Sequence, residues 1–363
     1  MAATVLVSQT LLYLCFALIW GIFLISLIPA TYRPEIYIPK AIMPTAVLGI
    51  ALCSLLPVLQ IILYVHNGEG FLSAIQSVLF TFEIGKAWIF TFLVAIVLFL
   101  FVRRYDYTNK AAHAWSGIAL SLLLIMSMAW SGHAASSGGW IGFFNHTVHI
   151  TAVSVWSGIL LAVSWFSKNY ANWATFVSWF TPAAILCCLA LTVTGLLLMP
   201  SGADIKEYAD GWILPYGQAL LIKHLLLIPL FVYAGINGWF TRKRVQQDSN
   251  WDPRPWAKAE AIMILLIFSA TAALSETASP RDLVVTEDTA SELFKLLYQG
   301  KIHPGMTVQW ALNGTSLAFF SVAALFLIMQ GLSYWRKLPP ASSFFMGAMA
   351  VICCYFGLIW GIR

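Results

Sequence analysis

Six of the seven histidines in this chain lie toward one face of what reads as a stack of apolar segments. Four of them, His133, His146, His149 and His224, fall at or inside the ends of those segments. Imidazole is the commonest metal ligand, and an ionisable group within lipid is costly, so a one-sided cluster reads as a site. The i, i+3 spacing of His146 and His149 puts both rings on one helix face, and Trp156 follows His149 by one heptad on much the same face. His224 lies inside a later apolar segment beside Lys223, which points elsewhere and needs a polar partner; the acids Glu83 and Glu276 are candidates. Met126 and Met128 add thioethers on the same side. Imidazole with thioether suits copper, whereas magnesium or calcium would want a cage of carboxylates. Paired histidines on facing helices could instead hold a b-type haem, His149 and His224 being the candidates.

The elements that position these residues are transmembrane helices. Hydrophobic residues make up 60% of the 363 and charged ones 10%, with a mean hydropathy of +0.81. Apolar runs long enough to cross a hydrocarbon core of about 30 Å recur along the chain. About ten spans are expected: 5–28, 42–64, 84–102, 111–130, 141–166, 174–199, 216–240, 256–274, 310–330 and 341–361. The expected fold is an all-α polytopic helical membrane bundle.

Most of the 20 Lys and Arg fall in alternate loops, around Arg33 and Lys40, Arg103 to Lys110, Lys168, Arg242 to Lys258, and Arg336 with Lys337. These loops are expected to be cytoplasmic, which puts both termini outside. The opposite loops hold most of the acids, Asp204, Glu207, Asp210, Asp282, Glu287 and Glu292 among them. The net charge of +5 is then a product of topology and no argument for a nucleic-acid partner; the partner is the lipid bilayer of a plasma membrane. The first segment lacks a basic n-region and is too long for a signal-peptide core, so it reads as an uncleaved span. Cys15, Cys53, Cys187, Cys188, Cys353 and Cys354 all lie inside apolar runs and read as buried thiols.

By organisation the chain divides into helices one to four (1–130), a core of helices five to eight (131–280), an outer segment (281–309) and a closing hairpin (310–363). The outer segment contains an amphipathic stretch, Ala290 to Tyr298, suited to a helix lying on the membrane surface. His133 stands at the outer boundary before an uncharged loop, 134–139, able to fold back over a site. At 1.5 Å per residue, His146 and His149 lie roughly 8 to 12 Å below the outer end of the fifth span, and His224 about 12 Å down the seventh. His66, His113 and His303 sit at water boundaries and are expected to take no part. No Gly-rich nucleotide loop and no serine–histidine–acid spacing is present, so binding or transport is expected, not catalysis.

From about Trp130 to Pro280 the chain resembles the copper resistance protein D (CopD) family, of the YcnJ-type copper-uptake proteins. The likeness rests on Ser131-Gly132-His133, on His149 to Trp156 with Ser157-Gly158, on Thr194-Gly195, on Pro215-Tyr216-Gly217-Gln218 through Lys223, on Gly235-Ile236-Asn237, and on Glu260 with Ser275 to Pro280. It implies a membrane protein that imports copper, with His133, His149, Trp156 and Lys223 at recurring positions; His146 and His224 are added by depth and helix face. Gln218 stands where arginine is frequent in the family. No fused CopC-like domain is expected, and the resemblance then implies a separate extracytoplasmic copper-binding partner or direct capture of the ion. A copper-holding factor for oxidase assembly would need the same ligands.

Overall fold

The computed structural model describes residues 2–202, 208–248, 250–277 and 283–362, apart from the side chains of 2, 67, 69, 133–137 and 200–202. Among the described residues there is no strand, and two isolated bridges are the only extended pairings. Ten helices among the described residues are long and apolar enough to cross a membrane. Lipid offers the backbone no hydrogen bonds, so each span must satisfy itself, and a helix does that within one segment. The Cα packing divides the chain into two units, 1–201 and 202–363, a boundary that falls inside the 131–280 segment.

In the first unit the helices are α1 (Ala2–Leu27), α2 (Ile42–Cys53), α3 (Leu55–Glu69), α4 (Phe71–Phe80), α5 (Glu83–Arg104), α6 (Ala111–Trp130), α7 (His133–Phe166) and α8 (Trp173–Gly202). The second expected span is broken at Ser54 into α2 and α3. Pro57, which has no N–H to give the carbonyl of Cys53, accounts for the break. The ten-residue α4 was not expected from the sequence; at about 15 Å it is too short to cross. Gly70, at φ 82°, turns the chain between α3 and α4.

The core of this unit is the pairing of α1 with α7. A β-carbon on Gly21 or Gly158 would overlap the backbone of the opposite helix, so two glycines facing each other set the close approach. Lipid tails are as apolar as the side chains, so such close contact, with interhelical hydrogen bonds, holds a membrane bundle together. The Thr91 hydroxyl of α5 donates to Ser127 of α6 (2.9 Å), and Ser127 donates back to the Ala87 carbonyl (2.8 Å). The α1–α2 connection is tied to the end of α7 by Lys168 N–H to the Glu35 carbonyl (2.8 Å) and by the exposed Lys168–Glu35 ion pair.

The expected flexible loop at 134–139 is instead helical. α7 begins at His133 and bends at Gly139, whose φ of 54° and ψ of −138° lie outside the helical region. Glycine carries no β-carbon to oppose that backbone, so a kink replaces the loop, and the membrane-crossing part runs from Gly138.

The second unit holds α9 (Pro215–Gly235), a π turn (Ile236–Phe240), α10 (Thr241–Gln247), α11 (Arg254–Ser275), α12 (Glu292–Leu297), α13 (Gly314–Trp335) and α14 (Pro340–Ile359). The ninth span starts at Gly314, four residues later than the pattern suggests. Asn313 caps it by accepting from the Ser316 N–H (2.8 Å), while Trp310 lies outside, bridged to Ile362. α13 and α14 form a hairpin joined to α9 through Gln330, which donates to the Pro229 carbonyl (3.1 Å).

The amphipathic stretch forms a six-residue helix that caps this unit. Phe294 is fully buried with Trp212, Ile213, Leu221 and Leu225, while Leu296 is exposed. One aromatic side chain meeting a ready-made apolar socket draws the segment onto the protein. Gln218 is buried in the same region and crosslinks the Trp212 carbonyl to the Tyr355 hydroxyl, a neutral role where a cation would have been costly.

Candidate metal-binding site

Within the first unit, α7 places His146 and His149 about 10 and 15 Å past the kink, on one face, both half-buried. A β-carbon on Gly132 would lie 3.0 Å from Cε1 and Nδ1 of His146, so glycine at the end of α6 leaves room for that ring. His149 Nδ1 lies 2.9 Å from the Thr194 hydroxyl of α8. That hydroxyl has one proton, and its acceptors are carbonyls of its own helix, Ala190 at 2.6 Å and Leu191 at 3.4 Å. Thr194 therefore accepts from His149, which makes Nδ1 the protonated nitrogen and leaves Nε2 the lone-pair nitrogen of the neutral ring. A ligand histidine held in this way by its second nitrogen has its tautomer and ring direction fixed in advance.

Trp156 is buried further along α7, and its indole N–H has no acceptor among the described residues. The side chain of His133 lies outside the described residues; its backbone opens α7. Met128 packs into the core shared with α1 and α2, while Met126 is half-buried on a different face of α6. Glu83 accepts from the Trp130 indole (2.9 Å) and pairs with Lys86 (3.0 Å), which engages it in the aromatic rim formed by Trp130, Trp140 and Phe143. Tryptophan at a span end suits the boundary between lipid and water.

In the second unit, His224 Nδ1 lies 2.7 Å from the Tyr208 hydroxyl. Burial pushes the Tyr208 hydroxyl up to about 12, so it keeps its proton at neutral pH and can either donate to or accept from His224. The tautomer of His224 is thus not fixed as that of His149 is. Lys223 is half-buried and makes no ion pair among the described residues. Glu276, half-buried at the end of α11, has its carboxyl raised by burial.

The three remaining histidines have ordinary surroundings. His113 Nδ1 is bound to the Asp106 carbonyl (2.9 Å) among Phe101 and Tyr105, His66 meets the edge of Phe71, and His303 is exposed. No three of the described His, Cys, Asp or Glu converge into a metal cage; what the structure brings together in the first unit is the pair His146 and His149 on one face of α7. Thr194 and Tyr208 were not picked out as site residues from sequence. A threonine in a helix is common, and only the fold shows which imidazole it meets.

These residues define a class: a multi-pass helical membrane protein that presents imidazoles from within its spans. Residues 1–143 match the sequence model described as Copper resistance protein D-like, N-terminal domain, and residues 174–274 match that of Copper resistance protein D. Together they cover more than half of the chain, in order, and the protein belongs to the copper resistance protein D family. The likeness thus extends over the N-terminal helices as well as the 130–280 region. The copper transport protein CutJ of Bacillus subtilis (strain 168) is 28% identical over 236 residues, which cover 60% of this chain and 42% of that relative. The chain therefore spans under half the length of the curated relative it matches. No solved structure matches it.

Proposed function

We propose that the protein imports copper across the plasma membrane through an imidazole site reached from the outside. The observation that carries this reading is the pair His146 and His149 on one face of α7, with the Nδ1 of His149 committed to Thr194. Two imidazoles on one helix face, that of His149 presenting Nε2, suit copper, which takes imidazole and soft sulfur donors. The ion passes His133 at the mouth, whether captured from solution or handed over by a separate extracytoplasmic copper-binding protein, and meets His146 and His149. Cys187 follows on α8, one heptad from Thr194 on the same face and about 10 Å along the helix. A soft thiol there is a fitting next station, with Cys188 beside it. His224, beside Tyr208, is a separate imidazole within the second unit.

The test is copper uptake into proteoliposomes, with bound copper measured on the purified protein. Wild type is expected to accumulate copper, and the double variant H146A/H149A to lose both uptake and bound metal. Binding without uptake would leave a copper-holding role, as for an oxidase assembly factor. Unchanged stoichiometry in the double variant would sink the site assignment. A Soret band in the purified protein would favour a b-type haem held by histidines and electron transfer in place of copper import.

A further inference from the structure

Two thiols of the first unit meet across α1 and α2. The sulfur of Cys15, midway along α1, lies against Gly49 of α2: a β-carbon on that glycine would stand 2.6 Å from Cys15 Sγ. The bare surface at Gly49 is therefore what seats the Cys15 side chain. Cys53 follows Gly49 by four residues and so occupies the same face of α2, one turn on. Side chains on a helix tilt toward its N-terminus. The connection 28–41 turns the chain back, so α1 and α2 run in opposite directions. Cys15 then leans toward the level of Cys53, and Cys53 leans back toward the level of Gly49. The two sulfurs are near enough for charge on one to act on the other. Both are half-buried free thiols, and both pack against the core that holds α1 to α2, α5 and α6.

The pair lies deeper in the unit than the histidines. Gly158 of α7 is level with Ala17 and Gly21 of α1, since a β-carbon there would overlap the Ala17 carbonyl and the Gly21 nitrogen. The two helices run the same way, because the chain leaving α1 is bonded to the end of α7 by Tyr37 N–H to the Phe166 carbonyl (2.8 Å). Counted back from that level at 1.5 Å per residue, Cys15 stands about 7 Å beyond His149, away from the kink. No imidazole, carboxylate or third thiol among the described residues joins the pair. Two donors are too few for zinc, which takes at least three protein ligands, and the oxygen cage that magnesium or calcium needs is of the wrong chemistry. Thiolate is the soft donor that selects copper(I).

We propose that Cys15 and Cys53 form a copper(I) site in the first unit, one station deeper than His146 and His149, with Gly49 as the positioning residue. That copper is the cargo rests on the import reading. Each thiol gives up its proton as its copper–sulfur bond forms, so one copper(I) and two thiols become a bis-thiolate and two released protons, with no change of oxidation state. Donors thus grow softer with depth, from imidazole to thiolate.

The full chain is purified, loaded with copper(I) under excess ascorbate, and its bound copper counted by elemental analysis and its ligands read by X-ray absorption. C187S/C188S/C353S/C354S, which keeps only Cys15 and Cys53, is expected to hold a copper with sulfur ligands. Adding H146A/H149A should remove the imidazole-bound copper alone, and adding C15S/C53S instead should remove one copper(I) per chain together with the sulfur signal. An unchanged copper count or sulfur signal on adding C15S/C53S overturns the site. C15S/C53S in the otherwise wild-type chain should also lower the count by one, so the outcome does not hang on the fourfold serine variant folding. G49A keeps both thiols but pushes the Cys15 sulfur aside, and it should weaken copper(I) binding severalfold against a chromogenic chelator; wild-type affinity in a folded G49A overturns the positioning role. Sulfur-bound copper in a wild type that takes up none counts against import and leaves the site standing. Uptake by a wild type without sulfur-bound copper overturns the site and leaves import standing.

Discussion

Replacing Thr194 with valine should weaken copper binding without removing any proposed ligand. Valine nearly matches threonine in shape but puts a methyl group where the hydroxyl accepts from His149 Nδ1 at 2.9 Å. The carbon cannot accept, and it needs a separation nearer about 3.5 Å, so the ring must tilt or shift. An N–H left without its acceptor costs about 1–3 kcal/mol, unless the ring switches to the tautomer with Nε2 protonated. Either outcome is paid at the metal, because the lone pair on Nε2 is misdirected or lost. At about 1.4 kcal/mol per factor of ten, the expected loss is roughly 10- to 100-fold in affinity, in line with other outer-shell partners of metal-bound histidine. Serine keeps the hydroxyl, so T194S should stay within about threefold of wild type by the same reasoning. The assay is competition between the detergent-purified protein and a chromogenic copper(I) chelator, with H149A as the limit of full loss. Wild-type affinity in T194V together with loss in H149A would refute the tautomer argument. Wild-type affinity in both would remove His149 from the site.

Other expectations concern the scaffold and its pH response. G158A should lower the thermal midpoint, since its new β-carbon overlaps the Ala17 carbonyl; overpacking typically costs about 1–3 kcal/mol, whereas G331A, with open space around it, should be neutral or stabilising. Equal midpoints for the two variants would show that the α1–α7 approach has slack. F294A should cost about 3–5 kcal/mol of local stability and expose the 283–309 segment to protease, because Phe294 is the fully buried anchor of α12. An unchanged cleavage rate would mean that the segment is held elsewhere. Burial alone would raise the Asp252 carboxyl, but hydrogen bonds and charge from Arg254 outweigh it and hold the group below the usual aspartate range. A group depressed in the folded state stabilises above its unfolded value, about 3.9, and that contribution fades as pH falls toward the depressed value. D252N should therefore flatten the acid limb of the stability profile below about pH 4, and superimposable profiles would contradict it.

The sequence by itself determined the number and approximate limits of the spans, because lipid imposes a length and a composition that are written residue by residue along the chain. It also placed His146 and His149 together, since a shared helix face follows from spacing alone. The Thr194–Gly195, Gly235–Asn237 and Glu260 motifs stood in the sequence as letters without contacts. Only the tertiary structure decided that Thr194 meets His149 across two helices and that Asn237 meets Glu260. The π turn, the kink at Gly139 and the shortening of the amphipathic stretch to α12 were likewise decided by packing. Each depends on which side chains are brought together from distant parts of the chain, and one helix's periodicity carries no information about the helix it will touch.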